Sequence, residues 1–286
     1  MDALDFRTHT SRRPATSAVP AVDELWAVNG PKPRQKVQTA DLRLLSCAPN
    51  NGRATLLPYA EYLSHLLNGR LHHLVLPEHD TVTAVQRAAH RSDLVILDEP
   101  EQSFMARFCL GRPGQKFASR LPTSVLVARQ PLWPLRQLLL VLRLDGCDGT
   151  AVFWAKRLAQ ASGAAVTVLP LVPALPAMYA SRPNGVASLL TSQTGAGQQV
   201  RQMARWLNEA QVTAVIRLRQ GEPGEQIRSE VEASLYDLVL LGAEPEAWWP
   251  HWLLGNLVTP LLSWINHPVL IARPSPRSFP EVNGHE

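Results

Sequence analysis

The sequence predicts an α/β protein built as two doubly wound, parallel-sheet halves, the first of them shortened. Three observations carry that expectation. The chain repeats itself at an offset of 144 residues. Short runs rich in Val, Ile and Leu alternate with stretches of helical length. Finally, 286 residues with 45% hydrophobic positions suit two modules of about 100 to 150 residues better than one.

In chain order, residues 1–40 are rich in Pro, Thr, Ser and Arg and read as a flexible tail, with a short helix around DELWAV compatible with the pattern and Trp26 as an anchor. The first half spans 41–131 and opens with the strand DLRLLSC. Its later part, SDLVILDEPEQSFMARFCLGRPGQKFASRLPTSVLVAR (92–129), aligns without a gap to YDLVLLGAEPEAWWPHWLLGNLVTPLLSWINHPVLIAR (236–273). Asp93 matches Asp237, Gly111 matches Gly255, and VLVAR matches VLIAR. Each copy begins and ends on a short apolar run, the mark of a buried parallel strand, with room between for a helix of about three turns. The unit is strand, loop, helix, strand.

The second half spans 135–274. LRQLLLVLRLDG reads as a strand, GTAVFWAKRLAQASG as a helix and AAVTVLPLV as a strand. A Pro/Ser/Gly-rich connection over 173–197 leads to the helix QQVRQMARWLNEA, the strand TAVIRLRQ and the helix GEQIRSEVEASL. With the two strands of the repeat this makes a five-stranded domain, followed by a tail over 275–286. In the first half the opening strand lies only about 50 residues before SDLVIL, against about 100 in the second. Right-handed crossovers remove strand and helix together, so one βα unit is expected to be missing and four strands to remain.

Composition excludes several functions. A formal charge of +4, with basic residues scattered, does not argue for nucleic acid. Cys47, Cys109 and Cys147 form no CxxC pair, which fits a reducing compartment, and the cytoplasm is the expected location. The N-terminus lacks a signal-peptide apolar stretch, and no apolar run reaches the roughly 18 residues of a transmembrane segment. His72 and His73 are adjacent, so on a strand they point to opposite faces and cannot chelate one metal together. No zinc spacing and no G-x-S-x-G elbow is present, so neither a metal nor catalysis is expected.

In an open α/β sheet, ligands bind beyond the carboxyl ends of the strands, where strand order reverses. In the second half those ends read LRLDGCDG and LVLLGAEP. Here the sequence resembles the universal stress protein family, which pairs an Asp-Gly-Ser after strand one with a loop G-x2-G-x9-G-[ST] after strand four. The resemblance covers most of 41–273. It implies two domains of the adenine nucleotide alpha hydrolase-like, universal stress protein fold packed as a pseudo-dimer, the first degenerate and shortened. Such proteins pair through their last strands, which places VLVAR and VLIAR antiparallel across a pseudo-two-fold axis.

Carried over by position, the resemblance implies cofactor-binding roles for Asp145, Gly146, Val172, Gly242, Gly255, Asn256 and Leu257. Cys147, Pro245 and Asn256 stand where the family has Ser, Gly and Ser or Thr. Glycines let backbone N–H groups face a phosphate, and the next helix N-terminus adds its partial positive charge. Pro245 removes one such donor, and Glu244 and Glu246 oppose a polyphosphate. The first half carries Asp98, Glu101 and Arg112 at the positions of Gly242, Pro245 and Asn256. Arg112 and Lys116 could hold an anion, although a solvated basic turn is the simpler reading. No cofactor is therefore expected, ATP or AMP in the second domain being the alternative.

Between Gly242 and Gly255 the loop carries Trp248, Trp249 and Trp252. Each ring can bury on the order of 200 Å², so the favoured reading is that they fold back over an emptied crevice. A surface for a protein partner of unknown identity is the second reading and membrane contact the third. The expected function is a non-catalytic, stress-response regulatory or interaction module. The alternative is an ATP- or AMP-binding energy-state switch with at most slow hydrolysis.

Overall fold

The computed structural model describes residues 7–8, 25–27, 42–48, 53–76, 81–98, 121–144, 148–172, 185–219, 221–243 and 257–274. In chain order they form β1 (Arg7–Thr8), β2 (Leu25–Ala27), β3 (Arg43–Ala48), α1 (Arg53–Leu67), β4 (Arg70–Val75), α2 (Thr81–Ala89), β5 (Leu94–Asp98) and β6 (Ser124–Ala128). The second half supplies β7 (Gln137–Leu142), α3 (Gly149–Ser162), β8 (Ala165–Pro170), α4 (Val186–Thr191), α5 (Gly195–Glu209), β9 (Ala214–Arg217), α6 (Pro223–Ala233), β10 (Leu238–Gly242), α7 (Val258–Trp264) and β11 (Val269–Ala272).

All the described strands join one sheet, in the order β1-β2-β9-β8-β7-β10-β11-β6-β5-β3-β4. It is mixed and mostly parallel: antiparallel pairing occurs between β1 and β2, β2 and β9, and β11 and β6. The second half contributes five strands from β9 to β11, and the first half four, from β6 to β4. Leu126 and Leu270, the same position of the repeat, lie directly opposite each other where β6 meets β11. The internal registers repeat as well, since Val95 pairs with Val125 as Val239 pairs with Val269.

One core layer packs α1, α3, α4 and α5 against one face of the sheet, and a second packs α2, α6 and α7 against the other. Both layers run across the junction of the halves. Trp154 of α3, fully buried, donates its Nε1–H to Ser124 Oγ of β6 at 2.8 Å. Ser124 Oγ also takes the Arg273 N–H at 3.0 Å. Arg129, at the end of β6, reaches back to the Ile265 carbonyl that closes α7, at 2.6 Å.

The repeated aspartates have a structural reason. Asp93 accepts the Arg43 N–H at 2.9 Å, and Asp237 accepts those of Arg136 and Gln137 at 2.6 and 2.8 Å. In each half this carboxylate ties the start of the strand it precedes to the start of the first strand.

Three expectations are corrected. Residues 25–27 form a strand rather than part of a helix around DELWAV, because the outer edge of β9 offers Leu25 to Ala27 backbone partners that a single helical turn lacks. The connection over 173–197 includes helix α4 and the start of α5. Val186 and Leu190 bury the inner side of α4, and Thr194 Oγ1 caps α5 by accepting the Gly197 N–H at 3.2 Å. Gly197 is required there, since a Cβ would lie 2.3 Å from Ser192 Oγ and 2.5 Å from the Leu189 carbonyl oxygen. Finally, the described part of α7 is seven residues long, shorter than three turns.

Candidate functional site

Strand order in the second half reverses between β7 and β10, so their carboxyl ends frame the crevice. On the β7 side the chain turns at Leu144, which sits at φ 61°, a left-handed conformation unfavourable for a branched side chain. Asp148 holds this turn: Oδ1 accepts the Arg143 N–H at 3.0 Å and Oδ2 the Leu144 N–H at 2.8 Å. Asp148 is buried and precedes α3, but its side chain clamps the end of β7 instead of capping the helix. The sequence singled out Asp145 in LDGCDG. The second aspartate, three residues on, was the missed signal.

On the β10 side, Gly242 ends the strand in register with Ala272. Ala243 and Leu257 are buried and belong to the core layer beneath α7. Leu257 occupies the N-cap position of α7 with no side-chain cap, its apolar side chain directed into that layer. In the first half Asp98 stands in register with Ala128 as Gly242 does with Ala272, so an acidic residue ends the corresponding strand.

Val172 lies just beyond the end of β8. Its carbonyl already accepts a hydrogen bond from Gln226 Nε2 at 3.0 Å, and the same amide reaches the Gly221 carbonyl at 2.7 Å. Gln226 is fully buried in the first turns of α6, and its Oε1 has no partner among the described residues. A helix start fixed by a capping box between Glu222 and Glu225, with Pro223 in the first turn, holds it there. Nothing in the sequence pattern flagged Gln226, because a lone Gln on a helix announces neither its burial nor its target.

One turn along α6, the fully buried Glu230 accepts from Arg217 Nη1 at 3.0 Å and Arg219 Nε at 2.7 Å, and from the Tyr236 hydroxyl. Burial, then the bond to Glu230, pushes the Tyr236 hydroxyl up to about 12. Burial likewise pushes the Cys47 thiol up to about 12, which leaves it a poor nucleophile.

The structure thus brings Val172, Gly242 and Leu257 to the carboxyl edge of the second half. Asp145, Gly146, Cys147, Trp248, Trp249, Trp252, Gly255 and Asn256, with Arg112 and Lys116 of the first half, lie outside the described residues. Among the described residues, no group of three or more His, Cys, Asp or Glu is placed to hold a metal ion. No described helix is long and apolar enough to cross a membrane.

Fold and strand order define a doubly wound α/β protein with its crevice at the β7–β10 switch point. The model of the universal stress protein family matches residues 135–273, the whole of that five-stranded half. Residues 135–273 therefore carry a universal stress protein domain. Among solved structures, it is similar to a universal stress protein from Archaeoglobus fulgidus DSM 4304, with 12% identity, TM-score 0.51, and 79% of this chain and 77% of that one covered. It is also similar to a protein of unknown function from Pseudomonas aeruginosa PAO1, with 16% identity, TM-score 0.49, and 82% and 83% covered. A universal stress protein in complex with cAMP matches at 18% identity and TM-score 0.35, over 49% of this chain and 98% of that one. No curated protein sequence matches the chain at a significant level.

Proposed function

We propose that this chain is a tandem universal stress protein acting as a non-catalytic regulatory or interaction module in the cytoplasm. In this reading its halves form an internal pseudo-dimer and its nucleotide site is degenerate. Antiparallel pairing of β6 with β11 about the equivalent residues Leu126 and Leu270 supports the pseudo-dimer.

The observation that carries the degenerate site is the engagement of the Val172 carbonyl by the Gln226 amide. The family resemblance assigns Val172 to the cofactor, but here a buried side chain of the same domain has taken its acceptor. An incoming base would have to share that oxygen or displace a fully buried amide, and displacing a buried hydrogen-bonded group costs about 1 to 3 kcal/mol. Pro245 and the glutamates beside it act in the same direction on the phosphate side.

The test is the melting temperature of the full chain with ATP, AMP or cyclic AMP at millimolar concentration. No shift is expected. A nucleotide present at 100 times its Kd would add about 2.7 kcal/mol of stability. A shift of that size with ATP or AMP would replace this reading with the energy-state switch working through the second domain.

A further inference from the structure

We propose that β4, at the open end of the sheet, pairs antiparallel with β4 of a second copy of this chain, joining two molecules into one continuous sheet. Among the described residues β4 has β3 on one side and no strand on the other. The corresponding strand of the second half, β8, is flanked by β9, and β9 in turn by β2. The first half, lacking the βα unit that contains β9, ends one strand early.

Apart from the exposed Arg70 at its start, nothing in β4 guards that edge. The sequence RLHHLV runs all six residues in register with β3, from Arg43 opposite Arg70 to Ala48 opposite Val75, with no Pro, no Lys and no bulge. Every second residue of such a strand turns its N–H and C=O outward, a template for another strand.

The side chains select the occupant. Leu71 packs against the core layer of α1 and Leu74 against that of α2. Alternation then places His73 and Val75 on the Leu71 face and His72 on the Leu74 face. A two-fold axis perpendicular to the sheet keeps each face on its own side. Centred on His73, it sets Leu71 opposite Val75 of the second copy, twice, on the α1 face. Val75, 40% exposed in the single chain, gains an apolar neighbour, and the half-buried Leu71 is covered further. Shifting the centre to His72 would set Leu71 against His73 and forfeit that match. An arrangement matching its own two-fold image points to a second copy over an unrelated extended peptide.

Among the described residues the sheet ends on its other side at β1, only two residues long. Growth from the β4 edge alone closes after two copies and does not continue into a fibre. Six residues of edge pairing fall below the roughly 1,200 Å² of a stable interface, so the association is weak and concentration-dependent.

The experiment is sedimentation velocity of the full chain from about 1 µM to about 1 mM, with two kinds of variant. A monomer–dimer equilibrium is expected for the parent. Val75→Lys should be monomeric throughout with an unchanged melting curve. His73→Cys, on the axis, places two cysteines about 4.5 to 5.5 Å apart at Cα, within disulfide reach, and should cross-link on mild oxidation. His72→Cys faces Leu74 on the other side of the sheet and should cross-link no more than the parent with its three cysteines. A parent that stays monomeric at about 1 mM overturns the proposal. So does a dimer that survives Val75→Lys, or cross-linking through position 72 as readily as through 73.

Discussion

Strands β4 and β8 occupy the same place in their halves, one step outward from the first strand, and their surroundings differ sharply. Five of the six residues of β8 are buried, whereas those of β4 are exposed or half-buried. AVTVLP and RLHHLV answer to what lies beside them: β8 has β7 and β9 on its flanks and β4 has only β3. Having one βα unit fewer among the described residues therefore does more than shorten the first half. It leaves β4 at an edge where β8 is interior, and β4 is the more polar of the two strands. The missing unit carries Arg217 on β9, while α6 is matched at the same offset by α2, where Val82 and Gln86 stand at the positions of Gln226 and Glu230; the first half thus has neither the amide that occupies the Val172 carbonyl nor the carboxylate of the buried charge network.

The largest effect separating the halves should come from that network. Glu230 is fully buried between two arginines and a tyrosine, and Glu230→Ala would take the carboxylate away from Arg217 and the mostly buried Arg219. Breaking a buried pair by removing one partner costs about 3 to 5 kcal/mol. Urea unfolding should show a loss of that size. A loss under about 1 kcal/mol would mean that water screens the arginines as it does a surface pair.

A smaller contrast sets two buried tyrosines against each other. Tyr236 of the second half donates to Glu230, while Tyr59 of the first half is fully buried, stacked on Tyr62 and tilted against Trp133, with no partner for its hydroxyl among the described residues. Removing a hydroxyl bonded to a carboxylate loses a hydrogen bond to a charged group, at about 1.5 to 3 kcal/mol, even though Glu230 keeps its two arginines; removing an unbonded one relieves a desolvated group. Tyr236→Phe should therefore destabilise, and Tyr59→Phe should be neutral or slightly stabilising in the same urea titration. Equal losses in the two variants would break the contrast.

These differences were unevenly legible in the sequence. The parallel strands of the second half were plain, because strands covered on both faces read as continuous apolar runs such as QLLLVL and LVLLG. The repeat placed β6 and β11, and the shortened interval announced the missing unit. No such signal marked β2, whose three residues become a strand only because β9 presents an edge to them. At the site, Val172, Gly242 and Leu257 were named only through the family resemblance, by position. Gln226 and Asp148 were missed, since one acts across 54 residues of sequence and the other on a turn whose shape no periodicity encodes.

The smallest expected effect concerns pH and the junction between the halves. His267 lies between α7 and β11, half-buried, with Nδ1 buried and without a partner among the described residues. Burial lowers its pKa from the ordinary 6.5, and the charge of Asp237 works against that shift. A depressed imidazole pKa means that the unfolded chain takes up a proton more readily than the folded one. Stability thus rises with pH wherever the unfolded state binds more protons, so it is intact above about 6.5 and falls as pH drops below that value toward the folded pKa. His267→Gln keeps a polar side chain there but cannot titrate. Urea midpoints measured between about pH 7.5 and 5.5 should fall more steeply for the parent than for the variant, the carboxylates common to both cancelling in the difference. Because burial and Asp237 oppose each other, the difference should be small. Parallel curves would place His267 in an environment that holds its charged and neutral forms equally well, and the junction would then have no acid-sensitive group at this position.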